Sequence, residues 1–234
     1  MGPMSEPEDG LEEMQSWLAG ISAGVPADDE AVQIGREVAN LLDLVELGVD
    51  ERLLVSSSRV LDAAYVRAAE EAAAVRGATI SFATGEPAVR GLDALLRLES
   101  ALGLGGAAED LELLKRDALA LLPGGRYLIE LPNRERVVQN HVQNRLHTAA
   151  DGRLYLERSE LDFVTSRNRT TITRIGPDGS QSEIASHGRR LYTVTELAAL
   201  LEAAGLTFAA VHGGIAAETY TPDAPWIVIL ARKT

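Results

Sequence analysis

Apolar positions along the chain fall into short runs separated by stretches of helical period. Leu11, Met14, Trp17, Leu18 and Ile21 recur at helical spacing and predict a short amphipathic helix. The run 31–34 reads as a strand, followed by a helix over about 36–47 that ends at Gly48, and 52–55 reads as a second strand. Ser58 opens a long Ala-rich helix with Val60, Leu61, Ala64, Tyr65, Ala68, Ala72 and Val75 on its inner face, and Gly77 is its stop. Residues 78–83 and 92–98 are the third and fourth strands. A helix from about 107 to 122 stops at Pro123-Gly124-Gly125, and 126–131 is the fifth strand. Strands alternating with helices of this length predict βαβ units and a parallel sheet covered on both faces.

After Pro132 the period changes. Residues 141–192 hold alternating stretches separated by turn signals at Asp151-Gly152, Ser166-Arg167-Asn168 and Asp178-Gly179, which predict an antiparallel β-meander. The α/β pattern then returns. Thr193 and Glu196 form a capping box ahead of Leu197, Leu200 and Leu201, Gly205 stops that helix, and 206–211 and 226–231 are the last two strands, paired as a hairpin. The predicted fold class is therefore α/β, a Rossmann-like sheet of seven strands with an antiparallel β insert before the last helix. Residues 1–25 read as a flexible N-terminus with one short helix, and 26–234 as a single domain with the insert at about 139–192.

Composition narrows the classes. Of 234 residues 46% are hydrophobic and 24% charged, and there is no Cys, so a disordered chain, a disulfide framework and thiolate chemistry are excluded. No apolar run has the length of a membrane span, and the start MGPMSEPEDG is acidic where a signal peptide is basic, so a cytoplasmic protein with no membrane partner is expected. The net charge of −13 is uneven: residues 1–133 carry 10 Lys and Arg against 24 Asp and Glu, while 134–192 carry 10 Arg against 7 acids. Such a chain repels phosphate backbones, and no nucleic-acid partner is expected. No two histidines have metal-ligand spacing, so no metal is expected.

The segment PGGRYLIELPNRERVVQN, the β-rich insert, then RLYTVTELAALLEAAGLTFAAVHGG and a final strand ending ILARK resemble the C-terminal half of class I S-adenosylmethionine-dependent methyltransferases. The similarity is greatest to small-molecule and sugar-amine methyltransferases of bacterial metabolism and covers 92–234. The resemblance implies an acid in strand one, a Gly-x-Gly-x-Gly turn after it, an acid closing strand two for the ribose hydroxyls, and an adenine-side acid after strand three. Laid on the chain without gaps, the strand-one acid falls on Gln33, the glycines on Gly35, Glu37 and Ala39, and the ribose acid on Ser56, with Glu86 as the adenine-side acid. Only Gly35 and Glu86 keep the pattern. Glycines let backbone approach the ligand and a carboxylate accepts two ribose hydroxyls, so these departures all weaken one site. The cofactor site is read as degraded; if restoring Glu37, Ala39 and Ser56 to the pattern brought back no binding, side chains of strand four such as Arg97 and Glu99 would be the next candidates for blocking it.

Three functions follow from that reading. The first is a non-methylating pseudo-methyltransferase, a binding or scaffolding subunit in a homo- or hetero-oligomer, with an active methyltransferase as one possible partner. The second is a cofactor-independent enzyme of cyclase or isomerase type that uses the old acceptor pocket for a small molecule. The third is a diverged but active N- or O-methyltransferase. No cofactor is expected under the first two, and S-adenosylmethionine under the third. His141 and His147, at the start of the insert, and Tyr192, at its end, are the catalytic candidates, since a histidine beside an acceptor pocket can take a proton near neutral pH.

Overall fold

The computed structural model describes residues 27–57, 62–85, 87–98, 100–149 and 152–234. They form two compact units, 140–190 on one side and 27–139 with 191–234 on the other. The helix expected at 11–21, and Ser58, Val60, Leu61, Glu86 and Glu99, lie outside the described residues.

The larger unit begins with helix α1 (Ala27–Leu44), followed by β1 (Arg52–Ser56), α2 (Ala63–Val75), β2 (Thr79–Ala83), β3 (Leu92–Arg97), α3 (Ala107–Ala120), β4 (Leu121–Pro132) and α4 (Arg134–Gln139). After the insert come α5 (Val194–Ala203), β9 (Leu206–His212) and β10 (Trp226–Lys233). Six of these strands form one sheet in the order β2-β1-β3-β4-β10-β9, with β10 antiparallel to both neighbours and the other pairings parallel. The α/β class and the terminal hairpin are as expected. One strand fewer stands in the sheet among the described residues, because 31–34 belongs to α1.

The physical reason lies in the period. Ile34, Val38, Leu41, Leu42 and Val45 continue a single helical stripe, and all but the partly buried Ile34 are at most 2% exposed. A four-residue apolar run cannot by itself distinguish strand from helix, and Gly35 has nothing within 4 Å of an added Cβ, so it interrupts nothing.

Alternation in the strands sorts the core into two layers. Leu53, Val55, Ala94, Leu96, Leu128 and Val228 face α1 and α2, where Tyr65 and Ala69 meet them. Leu54, Leu95, Tyr127, Ile129, Ile227 and Ile229 face the other way, against Leu114 and Ala118 of α3 and Leu197 and Leu201 of α5. Burying each such Leu or Ile is worth about 1.5–3 kcal/mol. On α2 the buried positions are Tyr65, Ala69 and Ala73, whereas Val75, expected on the inner face, is 86% exposed. The predicted capping box on α5 forms: Thr193 Oγ1 accepts from the Glu196 N–H, and Glu196 accepts from the Thr193 N–H at 2.9 Å. Pro123-Gly124-Gly125 buckles β4 between its pairings with Leu92 and Ala94. A Cβ on Gly125 would stand 2.8 Å from the Leu122 carbonyl, so this close approach requires glycine.

The smaller unit is a meander of β5 (Asn144–Thr148), β6 (Leu154–Asp162), β7 (Arg167–Ile175) and β8 (Gln181–Arg190), antiparallel throughout. Ser166 and Gly179 take positive φ in its turns, as the turn signals predict. Tyr155 and Ile172 are its buried apolar residues, while Phe163 and Val164 at the β6–β7 turn are exposed. No helix among the described residues is long and apolar enough to cross a membrane.

Candidate functional site

In the larger unit β2 and β3 lie on opposite sides of β1, so the chain reverses its direction of sheet growth there. In open parallel sheets the crevice at the carboxyl ends of such strands is where ligands bind. Ser56 closes β1 and stands in register with Arg97, which closes β3. Both share the face of Leu54 and Leu95, towards α3. Arg97 is 5% exposed and Asp117 of α3 is fully buried. The guanidinium donates to both Asp117 oxygens, Nε to Oδ2 at 2.6 Å and Nη2 to Oδ1, and its Nη1 donates to Ser56 Oγ at 3.2 Å. Ser56 Oγ in turn donates to the Gly85 carbonyl at 2.8 Å, and the Tyr127 hydroxyl donates to Asp117 Oδ2 at 2.8 Å. One hydrogen-bonded chain thus runs from α3 through the ends of β3 and β1 to the segment after β2. Burial opposes the charge on Arg97, but its bonds to Asp117 outweigh that and hold its pKa above the ordinary value. Burial, reinforced by the Asp117 charge, pushes the Tyr127 hydroxyl well up, so it stays a neutral donor.

This architecture corrects the register read from the sequence. Gln33, Gly35, Glu37 and Ala39 lie within α1, not on a first strand and the turn after it. The first strand of the sheet is β1, so Ser56 closes strand one and does not occupy the end of strand two. Glu86 follows β2, the strand whose end should carry the ribose acid, and lies outside the described residues. The glycine test gives the same answer in the new register. No glycine occurs between Gly48 and Gly77, and no acid between Arg52 and Leu61, so the connection after β1 has neither the flexible turn nor the strand-one carboxylate. One of the first N–H groups of α2 is met by the chain itself, since Asp62 caps the helix and accepts from the Ala64 N–H at 2.8 Å. In this register Glu86, just after β2, takes the ribose-acid position, and the sequence from Arg52 to Leu61 offers neither a glycine nor a carboxylate.

A second feature lies at the carboxyl end of β4, on the opposite face. Glu130 stands two residues beyond Leu128 and so shares its face, the side covered by α1. A cavity of about 390 Å³ there is bounded by Glu37 of α1, Glu130, the loop 213–225 and Trp226. The loop is fixed from below by Asn133, which is fully buried. Its Nδ2 donates to the carbonyls of Thr221, Pro222 and Ala224 at 3.0, 3.2 and 2.8 Å, and its Oδ1 accepts from the Tyr220 hydroxyl and the Glu135 N–H. Gly213 is pressed against Ala224 and the Thr219 carbonyl, each 2.8 Å from an added Cβ, so the loop folds back only over a residue without one. Sequence reasoning missed this cavity except for Glu37, which it placed in a different role.

The catalytic candidates are divided between the units. In the meander, His141 Nε2 donates to the Ser159 carbonyl at 3.2 Å, and His147 Nε2 lies 2.8 Å from Glu157 Oε2 across the β5–β6 pair. Tyr192, in the larger unit, is 3% exposed, and its hydroxyl donates to Asp110, whose other oxygen accepts from the Gly103 N–H at 2.9 Å. Its bond is that of a core residue tying the segment before α5 to α3, while Gly103 ties the segment after β3 to the same acid. No group of three His, Asp or Glu among the described residues is placed to hold a metal ion.

The sheet order and the antiparallel hairpin are those of the class I methyltransferase fold, and the solved structures agree. A methyltransferase from Clostridium acetobutylicum described as S-adenosylmethionine-dependent matches with TM-score 0.62 and 12% identity, over 97% of this chain and 99% of its own. The CcbJ methyltransferase of Streptomyces caelestis matches with TM-score 0.61 and 16% identity, over 91% and 92%. CalS10, an amino pentose methyltransferase from Micromonospora echinaspora, matches with TM-score 0.53 and 18% identity, over 100% and 99%. The chain is built on the class I methyltransferase fold. No protein-family model and no curated protein matches the sequence.

Proposed function

We propose that this chain is a non-methylating protein on the methyltransferase fold, a binding subunit that holds a small molecule and works beside an active partner. The observation that carries the reading is the hydrogen-bonded chain Asp117–Arg97–Ser56–Gly85 laid across the carboxyl ends of β3 and β1. The glycine-free connection after β1 supports it, because a pyrophosphate-like or amino-acid group needs close backbone approach at that turn. Fold alone does not decide activity. The cavity beside Glu130 remains as the place for a ligand.

Calorimetry with S-adenosylmethionine and S-adenosylhomocysteine tests this. No binding is expected at sub-millimolar concentration, and weak binding is expected to return in the variant Ser57→Gly/Arg59→Gly/Leu61→Gly, which restores a Gly-x-Gly-x-Gly turn after β1. Micromolar binding to the unmodified chain overturns the reading in favour of an active methyltransferase. That second reading has one observation of its own, since the neighbours of comparable fold include the amino pentose methyltransferase CalS10.

A further inference from the structure

We draw no further inference here: the strongest candidate, the apolar tip of the β6–β7 hairpin in the smaller unit, where Phe163 and Val164 stand exposed on a turn braced by the Asp162 carboxylate, is a small surface patch, and nothing in the structure shows what covers it.

Discussion

The buried Arg97–Asp117 pair allows a sharp energetic test. In Asp117→Leu the guanidinium of Arg97, 5% exposed, loses both of its carboxylate bonds, and the Tyr127 hydroxyl, in a fully buried ring, loses its acceptor. Breaking a buried pair by removing one partner costs about 3–5 kcal/mol, because the charge left behind has no compensation. An unsatisfied buried hydroxyl adds about 1–3 kcal/mol. The remaining bond from Arg97 to Ser56 Oγ, at 3.2 Å and to a neutral acceptor, cannot replace a carboxylate. For a chain of this size a loss of about 4 kcal/mol lowers Tm by roughly 8–16 °C. The double variant Arg97→Met/Asp117→Leu removes both charges and fills the volume with apolar groups, so it is expected to lie much closer to the parent than Asp117→Leu alone. Urea denaturation of the parent, both single variants and the double variant gives the cycle. Two outcomes refute the reasoning: an Asp117→Leu loss below about 1 kcal/mol, or a double variant as unstable as the sum of the singles.

Two further predictions concern the cavity wall and acid stability. Asn133→Ala removes the side-chain donor from the carbonyls of Thr221, Pro222 and Ala224, so faster hydrogen exchange over 219–225 is expected with the sheet strands unchanged. Uniformly raised exchange would refute a local role. Burial raises the Glu51 pKa, but hydrogen bonds from Arg126 and the Gly48 N–H together lower it below the usual carboxylate range. A depressed folded value means stability present above the unfolded value of about 4.3 and lost as pH falls through the folded one, so the urea midpoint of Glu51→Gln should vary less with pH below about 5 than that of the parent. Parallel pH profiles would count against this.

The layering of the larger unit is legible because strands buried on both faces read as continuous apolar runs, as Leu53-Leu54-Val55 does in β1 and Ala94-Leu95-Leu96 in β3. The capping box and the insert turns are equally legible, since each is a local rule with its residues close in sequence. The first element defeats the rule that finds the strands. Residues 31–34 are a short apolar run like the others, and only the continuation through Val38, Leu41, Leu42 and Val45 reveals the helix. That one shift displaces the whole cofactor register by a βα unit.

The site residues are less legible, for two different reasons. Arg97 and Asp117 leave a signal that a closer reading of period finds: Asp110, Leu114, Asp117 and Ala118 share the buried stripe of α3, and two acids on an apolar stripe demand buried partners. Tyr192 meets the first and Arg97 the second. The cavity leaves none, because Glu37, Glu130, Glu218 and Asp223 lie on elements that only the sheet order brings together.

These two sets of acids explain why the ends of the sheet differ in chemistry. Asp110 and Asp117 sit on the α3 face and are bound by Tyr192, the Gly103 N–H, Arg97 and Tyr127, so their charge is satisfied within the core. Glu130, 2% exposed, lies on the α1 face with Glu37, and both border the cavity at the carboxyl end of β4. A buried, bonded carboxylate rigidifies the carboxyl ends of β1 and β3 and leaves little room for a ligand to compete, since displacing it exposes an unpaired charge. The same residue type therefore closes one mouth of the sheet and shapes the other, and the difference comes from strand parity: Ser56 and Arg97 point to the α3 face, and Glu130 points away from it.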